Sequence, residues 1–473
     1  MRSIRTRQLF NVADPIDSGP IMWGSRRAAQ MLSDLAAGTD SVDFIVIGDS
    51  NTMSASANAW GYHNGFSQAL NDKGWNVYGT PVYPAMIVQP TGVTDSPMFG
   101  WNTSAYLYAP TGNLASGNAA TSTTYYTNWT PSTTWVLYGS ATASPPAKFD
   151  WAYIASGTYF QNYNAVEIHA AHPLNSTSLT LYHRVRWGGF NTGSGAFRGR
   201  TRLYNAPNTT LADGASQSTN NGTTYSFNAY EYSFTPTGAW LHSSWTSGGG
   251  SGATGPVAIH SHSIYCRRKG WSVTSHGYFA GYTSAQINTA ISGIGATQLR
   301  THLQEIRERQ ILAGGSGRVI LLTHSGINGN ETSTDWVNCH KAIWNTYKAA
   351  WSALGYPASD LAIISWVGVQ RNSDDSSLSG SSGNLIAVRD AAKQMALDNP
   401  DMTVVNVKSF MNYAIAITGN GNGTTFYQGG ATAATQHLSG GYTSGGPPSG
   451  TKATSDGYTL VAHDILNSVL WNA

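Results

Sequence analysis

Two residue patterns follow one another along this chain, and their order limits the folds that it can adopt. Near the N-terminus, and again after Gly270, short apolar runs such as residues 43–47 alternate with stretches of helical spacing. Buried parallel strands covered by helices have this pattern. Residues from about 77 to 266 instead form short alternating runs separated by turn clusters, which are typical of a β-sandwich or jelly roll. The sequence therefore predicts a three-layer α/β/α fold with a large all-β insertion.

The individual segments set the expected domain boundaries. Helices are predicted at residues 23–37, 57–70, 284–309 (with a break near 293–295), 334–354, 384–397 and 455–471. Buried strands are predicted at residues 43–47, 318–323, 361–369 and 402–407. A chain of 473 residues exceeds the size at which one core keeps growing. We expect residues 1–76 and 269–473 to form the α/β domain and residues 77–268 to form the insertion.

The composition narrows the choice of partners. Only 11% of the residues are charged and the formal net charge is +2, which gives no basic footprint for nucleic acid. No apolar run is long enough to span a bilayer, and the basic N-terminal residues lead into no apolar signal segment. A polar, weakly charged surface is typical of extracellular or virion-associated proteins. We predict that location, with no nucleic-acid or membrane partner; the sequence does not set the oligomeric state.

The cysteines and some of the histidines raise the question of a metal site. Cys266 and Cys339 are the only cysteines, and two buried thiols are a better interpretation than one disulfide. His260, His262 and Cys266 would share one face of a strand, which is a spacing that zinc can use. With no second cysteine pair nearby, alternating strand residues explain them better. The prediction is that there is no metal site.

Gly48-Asp49-Ser50 stands where a buried strand gives way to a helix. Open parallel sheets bind ligands at the carboxyl ends of their strands, and the N-terminus of the next helix directs N–H groups toward negative charge. Ser50 is thus a candidate nucleophile. A match of three residues is weak by itself, because Asp-Ser also forms ordinary turns.

Three further segments occur in an order that gives this match weight. They are residues 276–284 (HGYFAGYTS), Gly326-Ile327-Asn328-Gly329 after the strand RVILLT, and Gln436-His437-Leu438-Ser439 followed by the helix from Asp456. With the first segment they resemble the four blocks of the SGNH (GDSL-like) hydrolases. The resemblance covers about residues 40–75 and 270–473 and leaves the insertion out.

The resemblance implies a flavodoxin-like sheet and the chemistry of acyl transfer. Ser50 would be the nucleophile and His437 the general base. The backbone N–H groups of Ser50 and Gly281 and the side-chain amide of Asn328 would form the oxyanion hole. This reaction needs no metal and no organic cofactor.

The chain departs from the family pattern at the fourth block. The family usually has Asp three residues before the histidine, where this chain has Ala434. The imidazole of His437 then needs another partner, and four remain open: a backbone carbonyl, Gln436, Asp456 and Asp464. In the third block Gly329 replaces the usual Asp, which should affect the loop more than the amide donor.

Two other histidines compete for roles at the site. His463 lies in the closing helix and is an alternative general base, although its spacing fits a helix residue better. His324 follows a strand end, where lining the pocket and a structural role are equally supported.

The insertion bears on the substrate. A β-sandwich rich in Trp and Tyr resembles accessory domains of esterases that deacetylate polysaccharides, so an acetylated polysaccharide or another ester is the expected substrate. Most of these aromatic residues are expected to fill the core of the sandwich. The alternative is a non-enzymatic carbohydrate-binding or phage-particle surface protein whose hydrolase part is degenerate, which Ala434 favours.

Overall fold

The structure is a computed structural model of the chain. It describes residues 22–49, 52, 62–80, 83–84, 136–138, 151–154, 160–168, 173–189, 197–205, 209–213, 217–219, 226–237, 241–249, 257–277, 282–293, 296–325, 332–367, 385–407 and 457–472.

A six-stranded mixed sheet forms the centre of the α/β part. In spatial order its strands are β1 (Met22–Gly24), β17 (Met402–Asn406), β16 (Leu361–Val367), β15 (Arg318–Thr323), β2 (Val42–Gly48) and β14 (Trp271–Gly277). Neighbouring strands from β17 to β14 are parallel, whereas β1 is antiparallel to β17. Every residue of β2 is buried, as its continuous apolar run predicts.

Helices cover both faces of this sheet. They are α1 (Arg27–Ala36), α2 (Tyr62–Asp72), α3 (Ser284–Ser292), α4 (Ala296–Leu312), α5 (Ser333–Ala353), α6 (Leu385–Asp398) and α7 (Gly457–Leu470). Phe44 and Val46 of β2 pack into one apolar cluster with α1, α2 and α7. Ile45 and Ile47 pack into the other cluster with α3, α4, α5 and α6. Helices on both sides of a largely parallel sheet agree with the predicted α/β fold.

Two segment predictions can be compared in detail. The predicted break in the helix 284–309 is confirmed, because α3 ends at Ser292 and α4 begins at Ala296. The predicted start of the first helix is wrong: Trp23 belongs to β1 and α1 begins at Arg27. Trp23 is buried, and pairing of β1 with β17 extends the sheet at that edge.

Between α2 and β14 the described strands belong to two antiparallel sheets. One contains β6 (Phe160–Ile168), β8 (Phe197–Asn205), β9 (Thr209–Asp213), β10 (Gln217–Thr219) and β12 (Leu241–Gly249). The other contains β3 (Tyr83–Pro84), β4 (Val136–Tyr138), β5 (Trp151–Ile154), β7 (Leu181–Gly189), β11 (Ser226–Phe234) and β13 (Val257–Cys266). The packing of the two sheets as a sandwich, and the boundaries at residues 77 and 268, stay predictions.

The two ends of this β-rich segment are hydrogen-bonded to each other. The backbone N–H of Cys266 donates to the carbonyl of Tyr78 at 2.7 Å, and that of Thr80 donates to Ile264 at 2.8 Å. The N–H of Tyr78 donates to Trp271 at 2.9 Å. The chain therefore leaves the α/β part and returns to it through one hydrogen-bonded pair of segments, residues 78–80 and 264–266. We call this pair the neck.

A buried ion pair anchors this neck to the central sheet. Nη2 of Arg309 on α4 lies 2.7 Å from Oδ1 of Asp43 on β2, and neither side chain is exposed by more than 1%. Tyr78 and Gln310 donate to the other carboxylate oxygen, and Arg309 also donates to the carbonyl of Thr80. The pair thus joins α4, β2 and the neck at one point.

A second charge cluster joins β7 to α4. Arg184 and Arg186 of β7 contact Glu305 through their Nε atoms at 2.6 and 2.8 Å, and both guanidinium groups also contact Glu308. Glu305 is 1% exposed, so its contacts are shielded from solvent, whereas Glu308 is 36% exposed and its contacts are at the surface. The bidentate geometry fixes the direction in which β7 meets α4.

The remaining predictions concern cysteines, metals and membranes. Cys266 and Cys339 are buried and free, which confirms the prediction of two buried thiols. Within the part of the chain that the structure describes, no group of three or more His, Cys, Asp or Glu side chains is arranged to hold a metal ion. None of the described helices is both long and apolar enough to cross a membrane.

Candidate active site

The strand ends that lead to the proposed site residues lie level with one another. Gly48 at the end of β2 is in register with Gly277 at the end of β14. Ile47 is in register with Thr323 at the end of β15. Because the three strands are parallel and adjacent, their carboxyl ends form one edge of the sheet, where open α/β sheets bind ligands.

The four residues that the sequence proposes for catalysis follow these ends or lie further along the chain. Ser50 comes shortly after β2, Gly281 after β14 and Asn328 after β15, while His437 precedes α7. All four lie outside the described residues, and so does Ala434. Their roles therefore stay predictions, whereas several residues next to them in sequence are described.

A short hydrogen-bonded segment follows β2. The backbone N–H of Thr52 donates to the carbonyl of Asp49 at 3.0 Å, and the N–H of His63 donates to the carbonyl of Thr52 at 3.0 Å. The first bond holds Thr52 next to the end of β2. The second ties Thr52 to the start of α2, and Asp49 is fully buried.

Gly48 is required by the close approach of the neighbouring strand. A Cβ atom at this position would stand 2.3 Å from the carbonyl oxygen of His324 and 2.5 Å from Oγ1 of Thr52. Only glycine allows the backbones of β2 and the end of β15 to approach this closely. The glycine of the Gly-Asp-Ser run thus has a steric reason in addition to the family resemblance.

His324 lies beside the buried carboxylate of Asp49. Its Nε2 atom is 3.1 Å from Oδ1 of Asp49, and the side chain is only 2% exposed. Its ring stacks on Trp366 with a centroid distance of 5.4 Å and meets the edge of Tyr62 at 4.6 Å. Of the two roles that the sequence left open for His324, the structure supports a buried role next to Asp49.

On the opposite face of the sheet a polar network lies beneath the same edge. Nε2 of His340 on α5 is 3.1 Å from Oγ of Ser325, and Nδ1 is 2.8 Å from Oγ1 of Thr323 and 3.0 Å from Oγ of Ser365. Oγ of Ser284 donates to Oγ of Ser325 at 2.6 Å. Burial, together with the nearby imidazole of His324, lowers the pKa of His340 to about 3, so the ring is neutral at physiological pH.

A second buried histidine also faces α5. Nδ1 of His276 near the end of β14 is 2.8 Å from the hydroxyl of Tyr347. Burial raises the pKa of Tyr347 well above its usual range, so the phenol keeps its proton. The helix α5 therefore supports the ends of β14 and β15 with polar contacts.

The sequence reasoning missed this network, although a signal for it was present. Trp336, His340, Ile343 and Tyr347 are spaced by three or four residues and form the buried stripe of α5. A histidine and a tyrosine within an apolar stripe need buried hydrogen-bond partners. The structure provides them as Thr323, Ser325 and Ser365 for His340 and as His276 for Tyr347.

The structure argues against His463 as general base. Its Nε2 atom lies 3.1 Å from Oδ2 of Asp72, the last residue of α2. The first residue of α2, Tyr62, contacts His324, and the helix between them is roughly 15 Å long at 1.5 Å per residue. His463 is thus held at the far end of α2 from the strand ends.

Asp464 is poorly suited to orient a catalytic imidazole. It is buried on α7, and burial raises the pKa of its carboxyl to about 8. At neutral pH it is therefore mostly protonated and lacks the charge that stabilises an imidazolium in a triad. Of the four open partners for His437, Asp456 and Gln436 lie outside the described residues.

Comparison with known proteins gives distant likenesses only. No family model matches the chain, and no curated protein matches it. A peptidoglycan O-acetylesterase structure aligns with 96% of this chain and 100% of its own, with a TM-score of 0.46 and 12% identity. The enzymatically active domain of bacteriophage CBA120 tailspike protein 4 aligns over 28% of this chain and 17% of its own, with a TM-score of 0.18 and 14% identity. An arabinose-bound α-L-arabinofuranosidase aligns over 50% of this chain and 52% of its own, with a TM-score of 0.22 and 9% identity.

Proposed function

We propose that this protein is a serine esterase that removes O-acetyl groups from a polysaccharide. The observation that carries the proposal is the level edge formed by the ends of β2, β14 and β15. Residues of the first three family blocks follow these three ends in sequence. The backbone of Thr52 is hydrogen-bonded to Asp49 at that edge, and Ser50 stands between these two residues in sequence.

The proposed reaction proceeds by acyl transfer. Oγ of Ser50 attacks the ester carbonyl carbon while His437 takes the hydroxyl proton. The tetrahedral oxyanion receives hydrogen bonds from the N–H groups of Ser50 and Gly281 and from the amide of Asn328. Collapse releases the sugar hydroxyl, which takes the proton from His437, and leaves the acetyl group on Ser50. Water activated by His437 then attacks this acyl-enzyme and releases acetate.

The oxyanion donor Asn328 has a defined kinetic test. Asn328→Ala should lower kcat by roughly 10²–10³ with little change in KM, because the donor acts on charge that develops in the transition state. A variant that changes only KM would make Asn328 a substrate-binding residue.

A separate prediction concerns Ala434, which stands where the family usually has Asp. Without a carboxylate there, the second ring nitrogen of His437 must find another acceptor for its proton. We expect His437→Ala to be nearly as damaging as Ser50→Ala. Ala434→Asp should leave kcat unchanged or raise it, since a triad carboxylate stabilises the imidazolium. A large loss of activity in Ala434→Asp would contradict the assignment of His437.

The choice of a polysaccharide substrate rests on the insertion. Of the 16 Trp and 25 Tyr of the chain, 7 Trp and 16 Tyr fall within residues 77–268, and flat aromatic faces stack on sugar rings. Trp245 of β12 and Tyr163 of β6 are directly opposite residues of neighbouring strands. We expect Trp245→Ala to weaken activity on an acetylated polysaccharide and to spare p-nitrophenyl acetate. Equal losses on both substrates would assign this position to stability.

The decisive assay is hydrolysis of p-nitrophenyl acetate by wild type, Ser50→Ala and a matched control. Ser41 comes directly before β2 in sequence, whereas Ser50 comes shortly after it. Oγ of Ser41 accepts a hydrogen bond from the N–H of Gly270. Ser41→Ala therefore removes a buried hydroxyl from the opposite end of the same strand. We expect Ser50→Ala to abolish activity and Ser41→Ala to keep kcat. Equal activity in all three proteins would refute the proposal.

The alternative is a carbohydrate-binding or phage-particle surface protein with an inert hydrolase part. Ala434 is the observation that favours it. This alternative predicts no turnover of p-nitrophenyl acetate by the wild type, together with binding of polysaccharide that is unaffected by Ser50→Ala.

A further inference from the structure

Two buried serines connect the segments in which the proposed oxyanion donors occur. Ser284 is the first residue of α3 and comes shortly after Gly281 in sequence. Ser325 follows β15 and comes shortly before Asn328. The hydroxyl of Ser284 donates to Oγ of Ser325 at 2.6 Å, and both side chains are buried. One hydrogen bond thus joins the chain after β14 to the chain after β15.

His340 completes this chain of hydrogen bonds from the helix below. Because Oγ of Ser325 accepts from Ser284, the hydrogen of Ser325 is available for Nε2 of His340 at 3.1 Å. Nδ1 of the neutral ring then carries the proton and donates to Oγ1 of Thr323 or Oγ of Ser365. In this arrangement both ring nitrogens are paired, and the imidazole has a single favoured tautomer.

We infer that Ser284, Ser325 and His340 are positioning residues that hold the two outer oxyanion donors at a fixed separation. The inference rests on the proposed function and adds residues to it. A hole stabilises an oxyanion only if its donors stand within hydrogen-bond distance of the place where the charge develops. Gly281 and Asn328 each stand three residues in sequence from one of the linked serines, so the hydrogen bond between Ser284 and Ser325 constrains where both proposed donors can lie. His340 adds rigidity because α5 packs against the sheet.

The first test is Ser325→Ala, assayed with p-nitrophenyl acetate. This change removes the hydroxyl that joins Ser284 to His340 and leaves both proposed donors in place. Misplacing a catalytic group by about 1 Å costs up to about 10²-fold, so we expect kcat to fall about 10- to 100-fold. KM should stay within about twofold of wild type, because the donors act on the transition state.

A matched control separates positioning from stability. Ser272 on β14 is a buried serine in the same sheet whose hydroxyl donates to the carbonyl of Thr80 and accepts from Nη2 of Arg309 at 2.9 Å. It lies next to Trp271, the first residue of β14, and therefore at the opposite end of that strand from Gly277. Ser272→Ala loses two buried hydrogen bonds, as Ser325→Ala does, so it should lower the melting temperature to a similar degree and keep kcat.

A double variant tests whether Ser325 acts through Asn328. If it does, Ser325→Ala should reduce kcat by a smaller factor in an Asn328→Ala background than in the wild type, because one of the two positioned donors is already gone. A purely structural role would multiply the two losses. If Ser325→Ala does not fold, Ser284→Ala breaks the same link from its other end and is assayed in the same way.

The outcomes distinguish this inference from the proposed function. If Ser50→Ala keeps wild-type activity, the proposed function fails and the inference fails with it. If Ser50→Ala is inactive but Ser325→Ala and Ser284→Ala keep wild-type kcat, the inference alone fails. A rise in KM without a fall in kcat, or fully multiplicative losses with Asn328→Ala, would also overturn it.

Discussion

Gly48→Ala is the substitution whose effect follows most directly from the geometry next to the proposed nucleophile. The added methyl carbon would stand 2.3 Å from the carbonyl oxygen of His324, 2.5 Å from Oγ1 of Thr52 and 3.1 Å from Cδ2 of His324. The closest contact is about 1 Å short of ordinary van der Waals separation. Because that contact is to the backbone, rotation of a side chain cannot relieve it.

The expected magnitude follows from that overlap. Overpacking of a close-packed site costs typically about 1–3 kcal/mol, and the strand ends must separate by about 1 Å. Asp49 and Ser50 follow Gly48 directly, so the displacement falls on the proposed nucleophile. A misplacement of about 1 Å at the reacting groups reduces the rate by about 10²-fold. We expect kcat to fall by this factor while the protein stays folded.

The assay measures kcat on p-nitrophenyl acetate and the midpoint of urea unfolding. Gly293→Ala is the control, because a Cβ at Gly293 would meet its nearest neighbour at 3.5 Å, an ordinary contact. The control should keep wild-type kcat. If Gly48→Ala keeps kcat within about threefold and leaves the unfolding midpoint unchanged, the close approach of the two strand ends is not what positions the nucleophile.

Three further predictions concern buried groups. Arg309→Met should lower the free energy of unfolding by about 3–5 kcal/mol, because Asp43 stays buried without its cation; an unchanged urea midpoint would contradict this. The pKa of Asp464 in the folded protein is about 8, against an ordinary value of 3.8. Between pH 3.8 and about 8 the folded protein therefore binds more protons than the unfolded chain, so the free energy of unfolding falls as the pH rises. Asp464→Asn should therefore stabilise the protein more at pH 9 than at pH 5, measured by thermal unfolding, and an equal effect at both pH values would count against a buried carboxyl. Cys266 and Cys339 should react with a thiol reagent only after denaturation, and rapid labelling of the native protein would show that they are accessible.

Much of the α/β part is predictable from sequence because its strands are buried on both faces. The run from residue 42 to residue 48 is continuously apolar apart from Asp43, and this pattern fits a central parallel strand. The break between α3 and α4 is equally visible, since it falls at Gly293. The start of α1 was misjudged because Trp23 fits the apolar stripe of a helix as well as it fits an edge strand.

For the candidate site the sequence proposes motif residues but not the contacts around them. A sequence shows that Gly48, Asp49 and Ser50 follow a strand, but it does not show that His324 meets Asp49 across the sheet edge. The link from Ser284 to His340 is likewise formed by three separate segments. Such contacts depend on register and on packing between layers, which local residue patterns do not encode.

The most direct test of a serine esterase is covalent labelling of its nucleophile. The protein is incubated with a p-nitrophenyl phosphonate ester, and the digested chain is analysed by mass spectrometry. The attacking Oγ displaces p-nitrophenol and forms a bond to phosphorus. The adduct persists because its tetrahedral phosphorus imitates the transition state of acyl transfer. We expect one adduct, on Ser50, which forms in step with loss of activity and is absent from Ser50→Ala. Labelling of a different serine with loss of activity, or no labelling of the folded wild type, would contradict it.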